Sequence, residues 1–134
     1  MSIDGIRVVL RALAEVRDDE FYSLYVLASR GQPKPFPQIE FRIRQVAESA
    51  DVRVVVHVEA GSPDGTRLGW ALTVTTRGDL LIVEGCVEML APEDEQWREV
   101  FERSAKTSDP READDLIRAF AAAICSRREW LVHA

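Results

Sequence analysis

The chain has 134 residues, 46% of them hydrophobic and 30% charged, with 17 lysines and arginines against 23 aspartates and glutamates and a formal net charge of −6. That length and composition suit one folded domain with a sizeable core and exclude a disordered chain. The acidic balance argues against nucleic acid, whose phosphates require a basic stripe, and no apolar run reaches the roughly 18–20 residues of a membrane span.

The N-terminus, Met1 to Gly5, carries an early acid and no basic-then-apolar leader pattern. The expectation is an unprocessed, cytoplasmic protein in which Cys86 and Cys125 are reduced and unpaired. Ile6, Val9, Leu10 and Leu13 recur at helical spacing, with Ser2 or Asp4 as the cap. Asp18-Asp19-Glu20 predicts a break before a second element over 21–30, ended by Gly31. That element is compatible with helix or strand, and helix is the favoured reading. Three prolines in Gln32–Pro37 predict an irregular linker. Ile39, Ile43, Val46, Ala47 and Ala50 then predict a third helix, up to Asp51.

From Val52 the apolar period changes to two. Val52, Val54, Val56 and Val58, then Leu68, Trp70, Leu72 and Val74, then Leu81, Val83, Gly85, Val87 and Met89 predict a three-stranded antiparallel meander. Symmetric turns centred on Pro63 and between Arg77 and Gly78 place Trp70 between Val56 and Gly85. Pro92 and the following acids predict a helix with Trp97, Val100, Phe101 and Ala105 on its apolar stripe. Asp109-Pro110-Arg111-Glu112 opens another, with Ala113, Leu116, Ile117, Phe120 and Ile124 on its core face. The expected fold is a single α+β domain over 1–134: N-terminal helices, a three-stranded meander, and two C-terminal helices packed on one sheet face.

The same register defines a second sheet face, expected to be open, with rows Glu59–Arg67–Glu88, His57–Gly69–Cys86 and Val55–Ala71–Glu84. His57 and Cys86 across a glycine, with Glu84 beside them, form a candidate reactive patch, because a thiolate needs a neighbouring base. The same groups are ligands for zinc. An inert cysteine and a solvated histidine account for the pair more simply, and no metal or other cofactor is expected. Glu59–Arg67–Glu88 reads first as an exposed ion-pair row and second as a recognition patch. Arg77-Gly78-Asp79 is what a hairpin turn needs, and His133 lies at the chain end. Segment 92–115 holds nine acids against four basic residues, which makes Glu93, Asp94, Glu95 and Glu99 candidates for contact with a partner.

These features favour a small acidic protein-binding protein of the immunity, chaperone or regulator type, with another protein as its partner; a homo-oligomer is left open. Two alternatives are a small enzyme using Cys86 and His57, and a small-molecule binder with an apolar pocket near Trp70, between sheet and helices.

Overall fold

Ser2, not Asp4, opens the first helix: its Oγ accepts the Gly5 N–H at 3.1 Å, while Asp4 lies in the first turn. In the computed structural model, which describes residues 2–29, 38–46, 49–61 and 65–127, this helix is α1 (Ile3–Val16). The predicted break at Asp18–Glu20 does not occur. The helix widens into one π turn (Arg17–Phe21) and continues as α2 (Tyr22–Ser29). No glycine or proline interrupts this run, so exposed acids alone do not end it. Buried positions step through Val9, Ala12, Leu13 and Val16, then advance five positions to Phe21 and on to Leu24. The wider i→i+5 turn keeps both sets on the core side. Ile6, predicted on the apolar stripe, is exposed.

The predicted third helix is a strand, β1 (Gln38–Val46), paired antiparallel with β2 (Ser49–Gly61). Ile39-Glu40-Phe41-Arg42-Ile43-Arg44 also alternates strictly, and that period is the one the fold uses. A strand as valine-rich as β2, apolar at Val55 as well as at Val54 and Val56, suits an interior position with a neighbour on each side. The predicted linker 32–37 with Gly31, the turn residues 62–64 and His133 lie outside the described residues.

The meander continues through β3 (Arg67–Arg77), β4 (Leu80–Leu90) and β5 (Arg98–Thr107), so the sheet has five strands in the order β1-β2-β3-β4-β5. The helix predicted after Pro92 is instead a loop and then β5. A β-bulge between Val87 and Glu88 of β4 explains the misreading: Val87 pairs with Phe101 and Glu88 with Glu99, leaving Val100 as an extra residue. That extra residue breaks the alternation and makes Trp97, Val100, Phe101 and Ala105 mimic helical spacing.

Both hairpins are centred one residue later than symmetric turns predict. His57 pairs with Ala71, and Gly78-Asp79 forms the turn between Arg77 and Leu80, with Gly78 at φ 61. The two shifts move β3 by two residues and leave β2 and β4 in their expected mutual alignment. Core rows are therefore Val58–Trp70–Val87, Val56–Leu72–Gly85 and Val54–Val74–Val83. Gly85 does not make room for Trp70, as the sequence suggested, but for the C-terminal helix α3 (Pro110–Cys125). A Cβ on Gly85 would lie 3.2 Å from Ile124 Cγ2 and 3.5 Å from Phe120 Cβ.

α3 starts as expected, with Asp109 accepting the Arg111 N–H at 3.0 Å and Pro110 in the first turn. It packs on β3, β4 and β5, while α2 packs on β2 and α1 on α3. The helices cover one sheet face around a core centred on Trp70, Leu72, Phe21, Leu13 and Ile117, all fully buried. Trp70 keeps its indole N–H satisfied by donating to the Arg127 carbonyl at 3.3 Å. No helix among the described residues is long and apolar enough to cross a membrane.

Candidate functional site

Alternation along β3 puts Gly69, Ala71 and Thr73 on the face away from the helices. Their rows are Glu59–Gly69–Glu88, His57–Ala71–Cys86 and Val55–Thr73–Glu84. Small residues on the middle strand between longer ones on β2 and β4 make a groove along β3. The loop from β4 to β5 closes one end. It folds on an Asp94 N–H to Ala91 carbonyl bond of 3.0 Å, and Pro92 packs over Gly65, whose φ of 92 only glycine adopts readily. Trp97 then lies over Gly69, where a Cβ would sit 3.6 Å from Cζ3 of the indole.

The groove comprises two adjoining depressions that share Val55, Cys86 and Glu88. One, of about 200 Å³, is bounded chiefly by Trp97, His57, Gly69 and Ala71. The other, of about 350 Å³, is lined by the carboxylates of Glu40, Glu84, Glu88, Glu99 and Glu102, with Arg53 and Arg103 as its basic residues. Among the described residues, Glu84, Glu88, Glu99 and Glu102 make no ion pair. The carboxyl of Glu99 is pushed above its ordinary range by lost hydration, by a hydrogen bond with Glu102, and by the charges of Glu102, Glu88 and Glu84.

The predicted row Glu59–Arg67–Glu88 is corrected by the register: Gly69 stands between the two glutamates, and Arg67 pairs with Gly61 and Leu90. Arg67 still reaches Glu59 diagonally, its Nη2 donating to Oε2 at 2.8 Å, and its guanidinium lies 5.6 Å from the Trp97 ring centroid. His57 and Cys86 do share a row, with Ala71 rather than Gly69 between them, and Glu84 lies in the next row. Burial, followed by Glu88, Glu99, Glu84 and Glu102, raises the Cys86 thiol to about 11. It is therefore a protonated thiol at neutral pH, the reverse of an activated nucleophile. Neither cysteine forms a disulfide among the described residues. No group of three or more metal-binding side chains among the described residues is arranged to hold an ion.

Glu93, Asp94 and Glu95 are exposed, in the loop that carries Trp97 rather than on a helix, and Glu99 lies on β5 beside Glu88. Sequence reasoning missed Trp97, Glu102 and Glu40 as neighbours of this face, because 39–50 and 92–105 were assigned to helices. A tryptophan set among Glu93, Asp94, Glu95 and Glu99, with Pro92 upstream, was the available signal of a loop with a half-buried aromatic. Comparison of the chain with protein-family models, with curated proteins and with solved structures gives no match.

Proposed function

We propose that the protein works by binding another protein across the open face of its sheet, without chemistry of its own. The observation that carries this reading is the groove along β3, walled by an indole at one end and by ion-pair-free carboxylates at the other. An aromatic anchor inside a charged surround is the usual composition of a binding hot spot. Glu93, Asp94 and Glu95 extend the negative charge beyond the groove, and Glu59 and Arg67 border Trp97. Such charge chiefly speeds and orients encounter, so salt should slow association more than it hastens release. A small cytoplasmic protein of the immunity, chaperone or regulator type fits this mode of action. The enzyme alternative is disfavoured by the protonated Cys86, which would have to give up its proton beside four glutamates.

The test is affinity capture from the native host with three baits: the wild type, Ala71→Trp to fill the groove, and Glu112→Gln on the exposed side of α3. A partner held by the first and third and lost by the second is the expected result. A partner that ignores Ala71→Trp, and also ignores changes at Glu59, Arg67, Glu93, Asp94, Glu95 and Glu99, would place binding elsewhere. Metabolite turnover abolished by Cys86→Ala would replace the reading with an enzyme.

A further inference from the structure

We infer that the groove accepts a single lysine or arginine side chain from an extended segment of the partner, with its aliphatic stem against Trp97 and Ala71 and its cationic head among Glu84, Glu88 and Glu102. This deepens the reading above and rests on it. From Gly69 to Thr73 the floor is five residues of strand, roughly 13 Å over four steps of about 3.3 Å. That is long and narrow, and its small residues leave space for a slender group rather than a bulky one.

The two depressions differ in chemistry along that length. The Trp97 end presents the indole with Val55, Gly69 and Ala71, which suits methylene groups. The other end presents five carboxylates against Arg53 and Arg103, so a negative balance persists after its own basic residues are counted. Lysine and arginine are the side chains that combine an apolar stem with a terminal cation. The molecule already shows the pattern once: Arg67 lies over the Trp97 ring while its guanidinium meets Glu59. An apolar or acidic side chain would desolvate the carboxylates and return no partner to them, and a neutral donor would leave their charge unbalanced. The carboxyl of Glu99 is raised by lost hydration, by its hydrogen bond with Glu102 and by the charges of Glu102, Glu88 and Glu84, and a cation nearby would offset the last of these.

The experiment is selection of random eight-residue peptides displayed against three forms of the protein: wild type, Ala71→Trp, and the quadruple variant Glu84→Gln, Glu88→Gln, Glu99→Gln, Glu102→Gln. If Ala71→Trp does not fold, Glu84→Arg, at an exposed position, blocks the groove in its place. The expected result is a set of peptides sharing one lysine or arginine. Replacing that residue by norleucine or citrulline should lower affinity at least tenfold. The quadruple variant should lose the same peptides while keeping its melting temperature. Peptides without a basic residue that are nevertheless blocked by Ala71→Trp would overturn the cationic anchor and leave the open-face reading standing. Peptide binding indifferent to every variant would overturn both.

Discussion

The two faces of the central strands are made from alternate residues of the same segments, yet they obey different rules. On the helix side, Val56, Leu72 and Val74 pack with Trp70 and the helices and are almost fully buried, with Val52 and Met89 partly buried at the margin. On the other side, the same three strands show glycine, alanine and threonine in the middle and charge at the margins. The first arrangement lowers the free energy of the fold through apolar burial. The second does the opposite in part, because four carboxylates without ion pairs lie close together, and lost hydration, a hydrogen bond with Glu102 and the neighbouring charges drive Glu99 toward its neutral form. A surface selected only for stability would intersperse both signs. On the proposed reading, the retained repulsion is stability given up for binding.

Removing Trp70 is the strongest way to test that division. Trp70→Ala should lower stability by about 3–5 kcal/mol, the range for deleting a buried aromatic. A loss below about 1 kcal/mol in a urea melt would show that the indole is not the centre of the covered face. The two glycines sharpen the contrast. Gly85→Val should cost about 1–3 kcal/mol by pressing on Ile124 and Phe120. Gly69→Ala, meeting Trp97 at an ordinary 3.6 Å, should change stability by no more than about 0.5 kcal/mol. Equal costs at the two positions would erase the distinction.

Much of this division could be read in the sequence, and the exceptions have physical causes. The period of two from Val52 to Met89 assigned each residue of β2, β3 and β4 to its face correctly. Misplacing each turn by one residue moves β3 by two, which preserves parity, so Trp70 stayed in the core and His57 and Cys86 stayed in one row. What parity could not protect was the identity of neighbours, and Gly85 was assigned to the wrong large partner. β1 was hidden because Ile39 and Ile43 satisfy a helical period as well as an alternating one, and Val46 fits the helical period alone. β5 was hidden because a bulge adds Val100 to the pattern. With β5 taken for a helix, Trp97, Glu99 and Glu102 could not be brought to the sheet, and the groove lost one end and much of its charge.

Titration distinguishes the faces in a second way. Below pH 9 the Cys86 thiol is protonated whether the chain is folded or unfolded, and its raised folded value of about 11 costs nothing. As pH rises past 9 the unfolded thiol ionises first, so stability falls through the interval from 9 to 11, and Cys86→Ser should remove that part of the decline. Glu99 carries the same sign at lower pH: its folded carboxyl holds the proton more tightly, a contribution present in acid and lost as pH rises through its folded value. The quadruple glutamine variant should therefore melt no lower than wild type at pH 7. For Cys86 itself, iodoacetamide at pH 8 should react tens of times to about a hundredfold more slowly than with an ordinary thiol, in proportion to the thiolate present. Reaction at the ordinary rate would mean that the carboxylates do not surround it.

The smallest expected effect is the most discriminating for the open face. Arg67 and Glu59 meet at 2.8 Å with about half of each side chain exposed, and Arg67 also lies over Trp97. If this face is a wet binding surface, water screens the pair, and the contact is worth little despite its good geometry. A double-mutant cycle through Arg67→Ala and Glu59→Ala should give a coupling of about 0.2–1 kcal/mol, shrinking further in 1 M salt. The cycle through Arg67→Ala and Trp97→Ala should give about 0.5–1 kcal/mol, as for an exposed cation over an aromatic ring. A coupling above about 2 kcal/mol in either cycle, unaffected by salt, requires a dry contact. Trp97 would then belong to the folding core, and the asymmetry between the two faces would not be the one described. With weak coupling in both cycles, the ring can be engaged from outside at small cost to the fold, as an anchor for a partner requires.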